Sequence, residues 1–169
     1  MVKGYCMQVY FIRHGIAVER QEGIEESERW LTDKGMKRTQ KVAKRLADSD
    51  CQFDCILTSP LVRAKQTAEI LQQAKLSKQV LELESLAPGG NISAWIQWLS
   101  QSEGKNVQSM ALVGHEPDLV HWAEQIIWGQ IQNKLELKKA GVIGISVENR
   151  VSPLGEGTMF LLVPPKFLL

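Results

Sequence analysis

Two histidines and two arginines stand where this chain could bind and transfer a phosphoryl group. They come after three separate apolar runs of the sequence: Arg13 and His14, Arg63, and His115. An arginine guanidinium presents a planar fork of N–H donors that matches phosphate oxygens and stays charged at any working pH. A neutral imidazole beside such groups keeps a lone pair free to attack phosphorus. We therefore predict a phosphate pocket in which His14 can act as a nucleophile and His115 could neutralise the transferring group or move a proton.

The elements that must position these residues are three buried strands. Continuous β-branched, aromatic and aliphatic runs predict strands over residues 5–12, 53–58 and 107–113. A junction with unusual polar residues follows each of them. Because the carboxyl ends of parallel strands meet at one edge of an α/β sheet, and ligands bind there, we expect the three junctions to converge.

Two helices are predicted between the first strand and residue 75. Thr32 is a good N-cap for an amphipathic helix, and the residues predicted to face water are Lys37, Arg38, Lys41, Lys44 and Arg45. Ser59 and Pro60 predict a second helix, with a capping hydroxyl and a proline at the first helical position, running to about Lys75. Its positive end would lie near the phosphate pocket.

The remaining pattern completes an α/β fold. We predict a strand at residues 80–83, helices over 92–99 and from 116–117 onward, and a terminal pair of strands at 142–147 and 158–163 that forms an edge hairpin. The acidic stretch 17–30 has no periodicity and is predicted to be a surface loop with solvated carboxylates. Alternating strands and helices indicate one domain over residues 1–169, an α/β sandwich with a mainly parallel central sheet.

Composition and charge exclude several other classes of protein. Twenty basic and nineteen acidic side chains leave a net charge of +1, which gives no large field to attract nucleic acid or an anionic membrane. No run of eighteen apolar residues and no leader pattern occurs, so we expect a cytoplasmic protein. His115 and His121 are too far apart in sequence to share a helix face as metal ligands, and three cysteines lack a completing pair. We predict no metal site.

Four short strings of the sequence carry a family resemblance. They are Phe11-Ile12-Arg13-His14-Gly15, Leu31-Thr32 with Gly35, Ser59-Pro60-Leu61 with Arg63-Ala64 and Gln66-Thr67, and Val113-Gly114-His115. In this order and spacing they resemble the signatures of the histidine phosphatase (phosphoglycerate mutase-like) superfamily. Within it, the short length, Arg29 just before Leu31-Thr32, and the string at 86–90 make the chain similar to the bacterial SixA-type phosphohistidine phosphatases.

This resemblance implies a three-layer α/β/α sandwich of the phosphoglycerate mutase-like type and a phosphohistidine intermediate on His14. It implies that the phosphate pocket, completed by Arg13, Arg63 and His115, needs neither metal nor cofactor. It also implies substrate contacts from Gly15, Arg29 and Ser59. For Arg29, a solvated loop side chain remains an equal interpretation from the sequence.

One departure from the family pattern bears on the substrate. Mutases and phosphomonoesterases of the superfamily usually place an acidic proton donor after the Arg-Ala-x-Gln-Thr string, and this region offers Glu82 and Glu84. An alkoxide leaving group needs a proton, whereas a protonated phosphohistidine releases a neutral ring. A weak or missing acid therefore favours a phosphohistidine-containing signalling protein as the substrate.

Two other functions remain open from the sequence. The first keeps the chemistry and changes the substrate: a small-molecule phosphomonoesterase or mutase with Glu84 as the acid. The second is a regulatory module that binds phosphate without turnover.

Overall fold

The computed structural model describes residues 6–101 and 104–169. Its strands are β1 (Met7–Arg13), β2 (Cys55–Thr58), β3 (Val80–Glu82), β4 (Ser109–Gly114), β5 (Val142–Val147) and β6 (Gly157–Val163). Its α-helices are α1 (Asp33–Asp48), α2 (Val62–Gln73), α3 (Ile92–Ser100) and α4 (Asp118–Trp128). Single 3-10 turns form at Glu26–Glu28, Glu84–Leu86 and Pro165–Phe167. None of the helices in these two ranges is long and apolar enough to cross a membrane.

All six strands form one sheet in the order β3-β2-β4-β1-β5-β6. The first four in this order are parallel, while β5 runs antiparallel to β1 and pairs with β6 as an edge hairpin. The predicted mainly parallel sheet with a terminal hairpin is confirmed. Strands β1 and β4 lie at its centre because their apolar runs are buried on both faces.

Helices cover both faces of the sheet. The apolar stripes of α1 and α2 pack with Ile12, Ile56 and Val113 on one face. Those of α3 and α4 pack with Phe11 and Leu112 on the other. Because successive residues of a strand point to opposite faces, each central strand contributes to both cores. The three-layer α/β/α sandwich is confirmed.

Several element boundaries differ from the sequence predictions. Helix α2 begins at Val62 and not at Pro60, because Leu61 remains extended, with φ −68° and ψ 137°, and takes the N-cap position. It ends at Gln73, before Lys75 adopts a positive φ of 63°. Helix α4 begins at Asp118, one residue after the predicted start. The first strand begins at Met7, and the predicted start at residue 5 lies outside the described residues.

Candidate active site

The carboxyl ends of β1, β4 and β2 lie side by side and bring the predicted site residues together. In the sheet register Arg13 is opposite Gly114, and Thr58 is opposite Val113. The pairing extends one residue further at β1, where the His14 N–H donates to the Gly114 carbonyl at 3.1 Å. The rings of His14 and His115 are consequently 5.1 Å apart, centroid to centroid.

The two hydrogen bonds of His14 assign the same tautomer to its ring. Nδ1 lies 2.7 Å from the Gly15 carbonyl oxygen, which can only accept, so Nδ1 carries the proton. The Arg63 Nε–H, which can only donate, lies 3.3 Å from His14 Nε2. Nε2 therefore keeps its lone pair, and this nitrogen can act as a nucleophile.

Both histidines of the pocket are held neutral. Burial lowers the pKa of His14 to about 3, aided by the charges of Arg63 and Arg13 and opposed by the Gly15 hydrogen bond. Burial also lowers the pKa of His115 to about 4, again with help from the two arginines. At neutral pH, the positive charge of the pocket therefore resides on the guanidinium groups.

Ser59 orients the second histidine. It is fully buried, and its Oγ lies 2.8 Å from His115 Nε2. The same oxygen accepts from the Leu61 N–H at 3.3 Å, which leaves the hydroxyl proton free for His115 Nε2. In that arrangement His115 Nδ1 carries the ring proton, and this buried nitrogen has no protein partner in the described part of the chain. Nδ1–H is then a donor for a phosphoryl oxygen.

Arg63 is buried and connects the nucleophile to the loop between β1 and α1. Its NH1 donates to the Glu26 carbonyl at 2.7 Å, and its NH2 donates to Glu26 Oε1 at 2.9 Å. Its Nε faces His14. The two terminal nitrogens of the guanidinium therefore contact Glu26, while its Nε faces His14 Nε2.

Glu26 corrects the prediction that the carboxylates of the loop 17–30 are simply solvated. Besides Arg63, its carboxylate accepts from Arg29 NH1 at 2.8 and 3.0 Å and from Arg20 Nε at 2.9 Å. Burial alone would raise the pKa of this carboxyl, but the surrounding arginines lower it below the ordinary value. Glu26 is thus a fixed anion at the entrance of the pocket.

Arg29 is half-buried and belongs to the same cluster. Its Nε donates to the Val18 carbonyl at 2.8 Å, while NH1 is occupied by Glu26. The loop itself is closed by a bridge between Ala17 and Leu31. Arg29 therefore connects Glu26 to Val18 within this loop, and Glu26 in turn contacts Arg63.

Arg13 is anchored from the segment between α4 and β5. Its NH1 donates to the Leu137 carbonyl at 2.9 Å, and the Leu137 N–H donates to Glu116 Oε1 at 3.0 Å. Burial raises the pKa of the Glu116 carboxyl, against the opposing charge of Arg13. The Nε of Arg13 is buried with no protein partner among residues 6–101 and 104–169. One residue, Leu137, thus connects the arginine of β1 to the residue that follows His115.

Gly15 follows His14 and lies in space between α1 and α2, next to Thr39 and Thr67. Its N–H donates to Thr67 Oγ1 at 3.1 Å, and its carbonyl holds the His14 ring. A Cβ at this position would lie 2.4 Å from Thr39 Oγ1, so only glycine fits without displacement of the Thr39 side chain. The backbone N–H and carbonyl of Gly15 therefore help to fix the position of the His14 ring.

Glu84 lies outside this network. It is exposed and begins the 3-10 turn after β3, on the same edge of the sheet as the pocket. Its side chain has no hydrogen bond or ion pair with any of the described residues. Within those same residues, no cluster of three histidine, cysteine or acidic side chains could hold a metal ion.

Comparisons with known proteins identify relatives of this chain. The family model of the histidine phosphatase superfamily (branch 1) matches residues 9–87. An uncharacterized protein of Picosynechococcus is 46% identical over 164 residues, which are 96% of this chain and 99% of that protein. The phosphohistidine phosphatase SixA of Escherichia coli is 29% identical over 112 residues, 66% of this chain and 68% of that protein.

Solved structures show the same fold. A structure of the protein histidine phosphatase SixA complexed with tungstate has a TM-score of 0.83 and 24% identity, and the match covers 96% of this chain and all of that one. Phosphoglycerate mutase from Bacillus anthracis has a TM-score of 0.71 and 16% identity, over 98% of this chain and 96% of that one. The predicted phosphoglycerate mutase-like fold is confirmed.

Proposed function

Because this chain belongs to the histidine phosphatase superfamily, we propose that it removes phosphate from phosphohistidine on a protein, through a phosphoenzyme on His14. One observation carries the proposal. His14 has a fixed tautomer with its Nε2 lone pair between the Arg63 guanidinium and the His115 ring. The proposed substrate is a phosphorylated histidine-containing signalling protein in the cytoplasm, and the reaction uses neither metal nor cofactor.

The first step is the transfer of the phosphoryl group to His14. The Nε2 lone pair attacks phosphorus while the P–N bond to the substrate ring breaks and its electron pair returns to that ring. The phosphoryl oxygens replace His14 as acceptors of the Arg63 Nε–H and accept from Arg13 and His115 Nδ1–H. The His14 ring becomes cationic, and the Gly15 carbonyl stabilises its Nδ1–H.

The second step is hydrolysis of the phosphoenzyme. Water attacks phosphorus as the P–N bond to His14 breaks, Nε2 recovers its lone pair, and both protons of the water leave with the product as dihydrogen phosphate. Both leaving groups are imidazole rings, so neither step needs the strong acid that an alkoxide requires. Glu26 is a poor acid because its pKa is lowered and its oxygens face arginines. The name of the E. coli relative, a phosphohistidine phosphatase, also supports this substrate class.

The proposal is tested by substituting the nucleophile. We expect wild-type protein to release phosphate from a phosphohistidine protein in the presence of a metal chelator, and His14→Ala to lose this activity. Incubation with the phosphorylated substrate should leave an acid-labile phosphate on the wild-type chain. His121→Ala is the matched control, because this half-buried histidine contacts the Asn133 side chain and not the pocket. Full activity of His14→Ala would exclude His14 as the nucleophile.

A second function, hydrolysis of a small phosphomonoester, is favoured by the half-buried carboxyl next to His115. Glu116 has a raised pKa and could supply a proton to an alkoxide, as could Glu84 from the end of β3. An alkyl phosphate discriminates between the two functions, since its leaving group needs that proton. Turnover of glycerol phosphate that collapses in Glu116→Gln or Glu84→Gln, with little turnover of phosphohistidine, would favour this alternative.

The regulatory alternative makes a different prediction. A module that binds phosphate without turnover would bind inorganic phosphate in the His14 pocket yet form no acid-labile phosphoenzyme. Trapping experiments with His115→Ala test this, because loss of a donor to the transferring group slows each step without removing the nucleophile. Persistent absence of phosphoenzyme in both wild type and His115→Ala would support the regulatory module.

A further inference from the structure

A basic cavity of about 530 Å³ opens beside Arg13 on the α1 face of the sheet. Its cationic lining is Arg13, Arg38, Lys138, Lys139 and Lys166. These residues come from the end of β1, from α1, from the segment before β5 and from the C-terminal 3-10 turn. Four separate parts of the chain thus bring positive charges to one cavity in a protein whose net charge is only +1.

Most of this positive charge has no acidic partner. Lys138 pairs with Glu136, but within residues 6–101 and 104–169 no ion pair forms to Arg38, Lys139 or Lys166. The Nε of Arg38 is buried without a hydrogen-bond partner, as is that of Arg13. The charges of Arg38, Lys139 and Lys166 are therefore available to an anionic ligand in the cavity.

The position of Arg38 also corrects the sequence analysis. The amphipathic pattern of α1 predicts that Arg38 faces water, yet the side chain is half-buried, while its neighbour Lys37 is exposed. The apolar part of the cavity wall consists of Ile16, Pro164 and Pro165. This apolar wall can contact the methylene groups of a bound side chain while the cations contact its charged end.

We propose that this cavity binds an acidic segment of the phosphoprotein substrate, next to the phosphohistidine. This inference rests on the proposed function. Arg13 lines the cavity and its charge also acts on His14, so the cavity and the phosphate pocket share this residue. Spaced cations around an apolar wall suit several carboxylates of one chain, each bound by a charge-assisted hydrogen bond.

Two phosphohistidine peptides test the proposal, one flanked by glutamates and one by glutamines. We expect wild-type protein to hydrolyse the acidic peptide with a kcat/KM about tenfold higher, as the loss of two charge pairs would predict. The double variant Arg38→Gln/Lys139→Gln should bring the ratio of the two kcat/KM values close to one. The matched control is Lys78→Gln, an exposed lysine before the amino end of β3, which should keep the wild-type ratio.

Binding separates this inference from the proposed function. The anisotropy of a fluorescent, unphosphorylated acidic peptide should show tighter binding to wild type and Lys78→Gln than to the double variant, and high salt should remove the difference. If neither phosphopeptide is hydrolysed but this pattern of binding holds, the proposed function fails and the acidic-segment site stands. Equal kcat/KM for both peptides in wild type, or equal binding by the double variant, would overturn the site.

Discussion

At the residue scale, a phosphate-binding arginine is useful only if the correct edge of its guanidinium faces the nucleophile. Arg63 has five N–H donors, and Glu26 accepts from its two terminal nitrogens through a backbone carbonyl and a carboxylate oxygen. This fixes the guanidinium with Nε toward His14 Nε2. Glu26 is therefore a positioning residue, one that acts on the reaction through Arg63.

Replacement of Glu26 should slow the reaction without changing the fold. Glu26→Ala leaves the Arg63 guanidinium without its carboxylate contact, and we expect kcat/KM to fall about 10- to 100-fold, mostly in kcat, because misplacement of a transition-state donor has such effects. Glu26→Gln keeps an oxygen acceptor at the same place and should lose less. Steady-state kinetics on a phosphohistidine peptide measures the difference between the two variants.

Glu28 provides the control for this experiment, since it is exposed in the same 3-10 turn and its carboxylate contacts none of the described residues. Glu28→Ala should behave as wild type. The opposite outcome for Glu26 is also informative. If Glu26→Ala binds inorganic phosphate more tightly and turns over faster, Glu26 competes with the substrate for Arg63, and its positioning role is wrong.

At the element scale, one buried carboxylate organises the segment that anchors Arg13. Glu124 of α4 is fully buried, and its two oxygens accept four backbone N–H groups at 2.6 to 2.9 Å. The donors are Gln132, Asn133, Lys134 and Leu135. Two residues later the same segment presents the Leu137 carbonyl to Arg13. A helix residue far from the pocket thus supports one side of the phosphate site.

Glu124→Gln should destabilise the protein by about 2–3 kcal/mol, because a charged acceptor is lost and an amide NH2 meets two backbone donors. Burial alone would raise the pKa of this carboxyl, but the four backbone N–H groups lower it. Its contribution to stability is therefore present above the ordinary carboxyl pKa and lost as the pH falls through the lowered one. Urea denaturation of the variant beside the exposed control Glu156→Gln measures the effect. Equal midpoints would contradict this account.

The elements that sequence analysis predicted well are those with a local pattern. The apolar run before Arg13 consists of adjacent residues, and the Thr32 cap accepts from Gly35 only three residues later, so the structure of each follows from its neighbours in sequence. Glu26 and Glu124 could not be found in this way. Arg63, the partner through which Glu26 contacts the pocket, is 37 residues away, and the partners of Glu124 are 8 to 11 residues away. Nothing in the sequence distinguishes Glu26 from the acidic residues beside it.

Helix α2 shows that the type of an element can be predicted correctly while the prediction of its first residue is wrong. Ser59 and Pro60 match a helix N-terminus in every local respect. Ser59 instead pairs with Val113 and its hydroxyl contacts His115, and Leu61 remains extended as the N-cap, so α2 begins at Val62. Tertiary contacts override local preference at the place where the pocket forms.

At the scale of the whole molecule, the site places two neutral histidines inside the protein. His14 and His115 have pKa values of about 3 and about 4, below the ordinary value of 6.5 that an unfolded chain would show. Below pH 6.5 the unfolded chain therefore binds more protons than the folded one. The contribution of these two histidines to stability is fully present above pH 6.5 and is lost as the pH falls through about 4 for His115 and about 3 for His14.

The free energy of unfolding should accordingly decrease by up to about 1.4 kcal/mol per pH unit for each histidine between pH 6.5 and about pH 5. Urea denaturation at a series of pH values measures this slope. His14→Asn should reduce this slope by the contribution of one histidine, because asparagine does not titrate. His121→Asn is the control, since His121 lies outside the pocket and contacts Asn133. A slope unchanged in His14→Asn would show that the folded protein does not hold His14 neutral, and the attacking lone pair on Nε2 would then be absent under mildly acidic conditions.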